Sequence, residues 1–358
     1  MMNSPVTPIR LAAVGTAVPP YEADQKTAEM FFSQYYTDRL TARSMRVLKK
    51  ILAHPSIERR HFAFDDPACM VNESPDERVQ RFTKWGVELA CVSAQRALNK
   101  VDLVPADVYA LIVNTCTGYI CPGLTSYMVE KMGFDRSIRT FDLVGSGCGG
   151  AVPNLMVGEG QVRAGGGKAV LCVSVEICSS TFQIGDDISL LLSNALFGDG
   201  AAAVVLWSRP EGLAIVGAAS RHLTEEREAI RYVHKNGELH NQLSTALPRI
   251  IRGTVEDVIR DVVDQQGLSP GDISHWAMHG GGDSVINAVG DGLGLSERQL
   301  EPTRSILKRY GNMSSPSALF VLQEVMGSGV KPGEWVLLAA FGAGLSAHAC
   351  LFKATENG

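Results

Sequence analysis

The chain has 358 residues, 45% of them hydrophobic, and a formal net charge of −5 from 33 Lys and Arg against 38 Asp and Glu. That length fits one large domain or two intimate ones, and the negative balance argues against a protein that binds nucleic acid by neutralising phosphates. The longest apolar runs, Ala201–Trp207 and Trp335–Phe341, reach seven residues, whereas a membrane-spanning helix needs about 20. The N-terminal stretch through Pro20 has one Arg and a short apolar run ending at Gly15, too short for a signal-peptide core. Eight cysteines without an export signal predict reduced thiols in a cytoplasmic protein. No two of them form a C-x-x-C pair, so zinc-knuckle and thioredoxin readings are weak and no metal site is expected.

In chain order, the apolar run Ile9–Val14 opens the first half, and helical spacing of Val87, Leu89, Ala90, Ala94 and Leu98 predicts a helix over Thr83–Leu98. Buried strands are predicted at Val108–Thr115 and Ile138–Val144, the second ending in Gly145-Ser-Gly-Cys-Gly-Gly150. A helix over Ala151–Arg163 and strands at Ala169–Ile177 and Ala201–Trp207 follow. The second half repeats the theme, with a strand at Leu213–Ala218, a helix around Ser244–Gln266, a strand at Trp276–Met278 and a helix from Asp283. A helix at Pro316–Met326 precedes strands Trp335–Phe341 and Ser346–Phe352. This alternation predicts two α/β halves, residues 1–210 and 211–358, with largely buried sheets.

Cys148 lies between a predicted strand and a predicted helix, flanked by Gly145, Gly147, Gly149 and Gly150. Such a junction brings a thiol near the positive end of a helix, which predicts a thiol pKa below the ordinary ~8.5. His279 ends a short strand, and a strand end in an α/β fold is where ligands bind; it could pair with a thiolate. Asn312, in Tyr310-Gly-Asn-Met-Ser-Ser-Pro316, reads as an ordinary helix N-cap or as an oxyanion donor. Phe197-Gly-Asp-Gly200 alone reads as a hairpin turn.

Taken together these segments resemble a type III polyketide synthase, the chalcone-synthase-like branch of the thiolase superfamily. The resemblance rests on Gly147-Cys148, Ala195–Ala203, Trp276–Gly282, Tyr310–Ser315 and Phe341–Leu345, where Ala343 stands in place of the family's Pro. The order and spacing, with 131 residues from Cys148 to His279 and 33 from His279 to Asn312, make the set specific. It implies a five-layered α-β-α-β-α thiolase fold and a homodimer. Cys148 would carry the acyl group of a starter acyl-CoA. His279 would keep the thiol ionised, and His279 with Asn312 would bind the thioester oxygen of malonyl-CoA during decarboxylation. CoA thioesters are then substrates, and no cofactor is implied.

The resemblance also maps Phe197 to a gatekeeper, and Cys116, Thr117, Cys178, Thr181 and Ser314 to the chamber wall. Gly281 and Gly282 fall in its His-containing loop. Cys116 points to a bacterial-type member. Cys121 matches a position that reaches across the dimer, and Lys50 a basic CoA contact. The second gatekeeping Phe should fall near Leu239–Leu243, where His240, Asn241 and Gln242 stand instead. That difference predicts malonyl, acetyl or aliphatic starters over coumaroyl. A single-condensation β-ketoacyl carrier-protein synthase III shares the Cys/His/Asn logic and is the main alternative. An α/β-hydrolase would require Gly at position 146 and an acidic partner before the His. A non-catalytic acyl-CoA-binding protein would not require the intact triad.

Overall fold

The computed structural model describes residues 7–355. Strand β1 (Arg10–Ala17) is followed by β2 (Tyr21–Asp24) and two helices, α1 (Gln25–Tyr35) and α2 (Ala42–Leu52). These helices bury Phe32, Tyr36 and Leu48 in a small apolar cluster, and β3 (Arg59–Phe62) then returns to pair with β2. Helix α3 (Pro75–Asn99) begins well before the predicted Thr83. Ser74 accepts from the Glu77 amide while Glu77 reaches back to the Ser74 amide, a capping box with Pro75 in the first turn. The first half continues through β4 (Ala110–Thr115), α4 (Leu124–Met132), β5 (Arg139–Val144), α5 (Ala151–Ala164), β6 (Val170–Glu176), α6 (Ile188–Leu196) and β7 (Gly200–Trp207).

The second half holds β8 (Leu213–His222), a hairpin of β9 (Ile230–Lys235) and β10 (Glu238–Leu243), α7 (Leu247–Asp264), β11 (His275–Met278) and α8 (Asp283–Leu293). It closes with α9 (Glu297–Tyr310), α10 (Pro316–Gly327), β12 (Trp335–Gly342) and β13 (Ser346–Ala354). The expected boundary at residue 210 falls in the link between β7 and β8.

The main sheet runs β11-β12-β13-β8-β1-β7-β6-β4-β5. It is two half-sheets, joined where Arg10 and Leu11 of β1 pair with Ala214 and Leu213 of β8. Three apolar clusters show the layers. One lies between the half-sheets and combines α5 and α10 with strands of both. A second packs α3 and α4 on the outer face of the first half-sheet, and a third packs α7, α8 and α9 on the second. The result is the α-β-α-β-α order of the thiolase fold.

Two local expectations are corrected. β5 is not a buried strand: it forms the sheet edge, its residues are exposed or half-buried, and Val144 is 58% exposed. Residues 197–200 are no hairpin turn, because they link α6 to β7.

Candidate active site

The site gathers at the C-terminal ends of β4, β5, β6, β11 and β12, where a parallel α/β sheet leaves its ligand crevice. Cys148 occupies a 3-10 turn, Gly147–Gly149, between β5 and α5, and is buried. The turn lies backbone to backbone on the end of β12. Gly147 has φ 57°, and a Cβ there would stand 2.8 Å from the Ala343 amide nitrogen. A Cβ on Gly342 would stand 2.4 Å from the Ser146 carbonyl and 3.0 Å from the Cys148 nitrogen. Glycine is required on both faces of this contact.

One hydroxyl joins the sulfur to its surroundings. Ser314 donates to Cys148 Sγ at 3.2 Å, with Cys116 Sγ at 3.3 Å and Glu176 Oε1 at 3.5 Å from the same oxygen. Ser314 holds φ 60°, a left-handed conformation that costs a serine about 1–2 kcal/mol. Its amide donates to Asn312 Oδ1 at 2.8 Å, and the Asn312 amide donates to Gly281 O at 3.3 Å. The Gly281 N–H in turn donates to the His279 carbonyl at 3.1 Å. Cys148, Ser314, Asn312, Gly281 and His279 are thus one connected set. Asn312 is not a helix cap, because α10 starts at Pro316 with Ser315 as its N-cap.

His279 is 2% exposed and stands edge-on to Phe341, with ring centroids 4.9 Å apart. Neither of its ring nitrogens has a hydrogen-bond partner among the described residues. Burial pushes the imidazole down to about 4 and the Cys148 thiol up to about 12. The expectation of a lowered thiol pKa is therefore reversed for the thiol taken alone. Desolvation outweighs the Ser314 hydroxyl, and α5 begins only at Ala151, past the sulfur.

Glu176 ends β6 and is fully buried under the strap of residues 312–315 that links α9 to α10. Its Oε2 accepts from the Cys116 and Thr117 amides and from the Thr115 and Thr117 hydroxyls, at 2.9–3.1 Å. Ser315 donates to Oε1 at 2.7 Å. Burial still pushes this carboxyl above its ordinary value.

Four of the five chamber-wall positions and Phe197 divide between two cavities, while Ser314 is buried and lines neither. Cys116, Thr117 and Gly147 line one of about 880 Å³, walled on the far side by Tyr232 and Leu239 of the hairpin. Phe197, Cys178 and Thr181 line the other, an aromatic pocket of about 60 Å³ with Phe62, Phe182 and Asn241. Asn241 is thus the hairpin residue that faces Phe197's pocket, while His240 is half-buried near Glu238. Gly282, with φ 150°, caps α8.

Two assignments are not brought to the thiol. Lys50 is exposed on the last turn of α2 and lines neither cavity. Cys121 is exposed on the loop after β4, beside Tyr119, which is 78% exposed. Sequence reasoning missed Glu176 and Tyr232. A lone carboxylate closing an apolar strand marked the first. Asn236-Gly237, both with positive φ, marked a hairpin and so the alternation that turns Tyr232 inward, its hydroxyl 3.4 Å from Thr181 Oγ1.

A family model described as FAE1/Type III polyketide synthase-like protein matches residues 17–215, and one for the C-terminal domain of chalcone and stilbene synthases matches residues 214–355. The chain is 30% identical to the 3,5-dihydroxyphenylacetyl-CoA synthase of Streptomyces toyocaensis, covering 96% of this chain and 90% of that one. It is 28% identical to the 1,3,6,8-tetrahydroxynaphthalene synthase of Streptomyces peucetius subsp. caesius, covering 96% and 92%. The crystal structure of PKS-I from the brown alga Ectocarpus siliculosus superposes with a TM-score of 0.91 at 26% identity, covering 98% of this chain and all of that one. With the thiolase-type layering and both halves matched by family models, this chain belongs to the type III polyketide synthase family of condensing acyltransferases.

Proposed function

We propose that Cys148 attacks a starter acyl-CoA thioester, holds the acyl group with loss of CoA, and then passes it to a malonyl-derived carbanion. His279 accepts the thiol proton, which ionises the pair without changing its net charge. His279 and Asn312 then donate to the thioester oxygen of malonyl-CoA. Loss of CO₂ leaves an enolate held by those donors. Its carbon attacks the Cys148 thioester, the C–C bond forms and the thiolate leaves. Repetition and cyclisation would use the cavity of about 880 Å³ that reaches the thiol turn at Gly147.

The observation that carries this reading is His279, buried with both ring nitrogens unpartnered, whose backbone carbonyl is linked through Gly281, Asn312 and Ser314 to the Cys148 sulfur. Buried polar groups are rarely left unpaired, and the exception here calls for a partner that the described residues do not supply. No added cofactor enters these steps.

A short starter suits the aromatic pocket. Its volume of about 60 Å³ is well below the ~150 Å³ of a cavity that takes benzene. Malonyl, acetyl or short aliphatic starters therefore fit it better than coumaroyl. The two Streptomyces relatives are named for small phenolic products, and a phenolic or pyrone is proposed here. Two copies would meet along the exposed edge of β5, with Tyr119, Val144 and Cys121 at the contact. No helix of the described residues is long and apolar enough to cross a membrane, and a cytoplasmic site of action is proposed. The test is incubation of pure protein with malonyl-CoA and a panel of acyl-CoAs, read by mass spectrometry. Multiply extended products are expected from the wild type and none from Cys148→Ala, which should also hold no radiolabelled acyl group. Undiminished labelling of that variant would remove Cys148 from the role.

A further inference from the structure

Arg60 of β3 is one of the largest fully buried side chains, 1% exposed, and lines the aromatic pocket beside Phe62 and Phe197 without a role in the steps above. Its Nη1 donates to the Asn194 carbonyl at 2.7 Å and the Phe197 carbonyl at 2.9 Å. Both lie at the C-terminal end of α6, where carbonyls lack helical partners. The aliphatic stem runs beneath the second site turn. A Cβ on Gly311 would stand 2.7 Å from Arg60 Cγ, and one on Gly198 would stand 3.4 Å from Arg60 Cβ. The guanidinium lies 5.0 Å from the Phe62 ring centre and is countered by buried Asp199.

The two turns over Arg60 are bound to each other. Phe197 and Asn312 form a parallel bridge, in which the Gly198 amide donates to Asn312 O at 3.0 Å and the Asn312 amide nitrogen donates to Leu196 O at 2.9 Å. A cation that fixes one turn therefore fixes the other.

We propose that Arg60 is a positioning residue: it clamps the Phe197 turn and, through the bridge, sets the Asn312 amide that receives the enolate oxygen. This rests on the role proposed for Asn312. One guanidinium nitrogen serves both carbonyls, with the planar group held against Phe62. A lysine ammonium is a point donor on a flexible stem and does not reproduce that hold.

The experiment compares malonyl-CoA decarboxylation with iodoacetamide labelling of Cys148 in Arg60→Met, Arg60→Lys, Asn312→Ala and the Arg60→Met/Asn312→Ala double variant. Misplacing a group by about 1 Å can cost about 10²-fold. Malonyl-CoA decarboxylation by Arg60→Met should thus fall by up to about 10²-fold, while iodoacetamide labelling of Cys148, which uses neither Asn312 nor the starter pocket, stays near wild type. Arg60→Lys should recover part of the loss and carries the test if Arg60→Met does not fold. In the double variant, Arg60→Met should add little to the loss from Asn312→Ala, because both act on one donor. Folded Arg60 variants with unchanged decarboxylation would overturn the proposal. So would parallel loss of decarboxylation and Cys148 labelling, or independent multiplication in the double variant. If Asn312→Ala itself retains decarboxylation, the catalytic reading falls and the clamp with it. If only the Arg60 variants retain it, the clamp alone falls.

Discussion

Glu176 and His279 are both buried ionisable groups in one site, and the fold treats them oppositely. The carboxylate accepts from two backbone amides and three hydroxyls, and these donors come from the end of β4, the two residues after it and Ser315 of the strap. The imidazole has no partner at either ring nitrogen. A buried polar group without a hydrogen bond costs about 1–3 kcal/mol in protein mutational data. A fold that satisfies one group so fully and its neighbour not at all separates support from chemistry. Glu176 ties the chamber floor to the strap that carries Ser314. His279 is left with both ring nitrogens free of partners among the described residues, as the proposed exchange with substrate requires.

This contrast can be broken at several points. The largest effect is expected at Asn312, the donor beside His279. Asn312→Ala should lose about 10²–10³-fold in malonyl-CoA decarboxylation, the usual cost of one oxyanion donor, with acyl loading little changed. Wild-type condensation by this variant would reduce Asn312 to a link between two turns.

The next effect sharpens the His279 side. If His279 takes the thiol proton, His279→Gln leaves Cys148 with burial alone, which holds the thiol near 12. Below that value the thiolate fraction rises tenfold per pH unit. Iodoacetamide labelling of the variant should therefore climb log-linearly from pH 6 to 9 and be slower than wild type at pH 7. Wild type should flatten in that range, because the pair is ionised together. Identical profiles would show that His279 does not hold the proton.

Glu176→Gln addresses the satisfied side. It keeps the volume but turns one acceptor into a donor facing donors, so denaturant unfolding should show a loss of about 1–3 kcal/mol. An unchanged midpoint would mean that the carboxyl is already protonated in the fold and that its donors require no anion. The smallest effect is expected from starter competition at equal concentration, where malonyl-, acetyl- or short aliphatic CoA should outcompete coumaroyl-CoA. A clear preference for coumaroyl would show that the pocket beside Asn241 opens to admit a ring.

Much of the site was legible before the fold. Cys148, His279 and Asn312 stand in short motifs whose glycines and order are chemically restrictive, and the structure joins all three through Gly281 and Ser314. The hairpin was harder. Tyr232 and Asn241 lie on half-buried strands without clean apolar alternation, so only Asn236-Gly237 marked them. Arg60 and Glu176 gave weaker signals still. A charged residue reads as surface until tertiary packing supplies its partners, here residues at least 59 positions away in each case.

The sequence by itself determined the alternating α/β halves, the glycine-lined thiol turn and the residue types of the catalytic set, because periodicity, turn chemistry and motif spacing are local properties. Tertiary structure decided what these local features cannot contain. It made β5 an exposed edge rather than a buried strand, since burial depends on whether a neighbouring strand is present. It also reversed the expected direction of the Cys148 thiol, because desolvation is a sum over surrounding atoms from many segments and here exceeds the pull of a helix that starts beyond the sulfur.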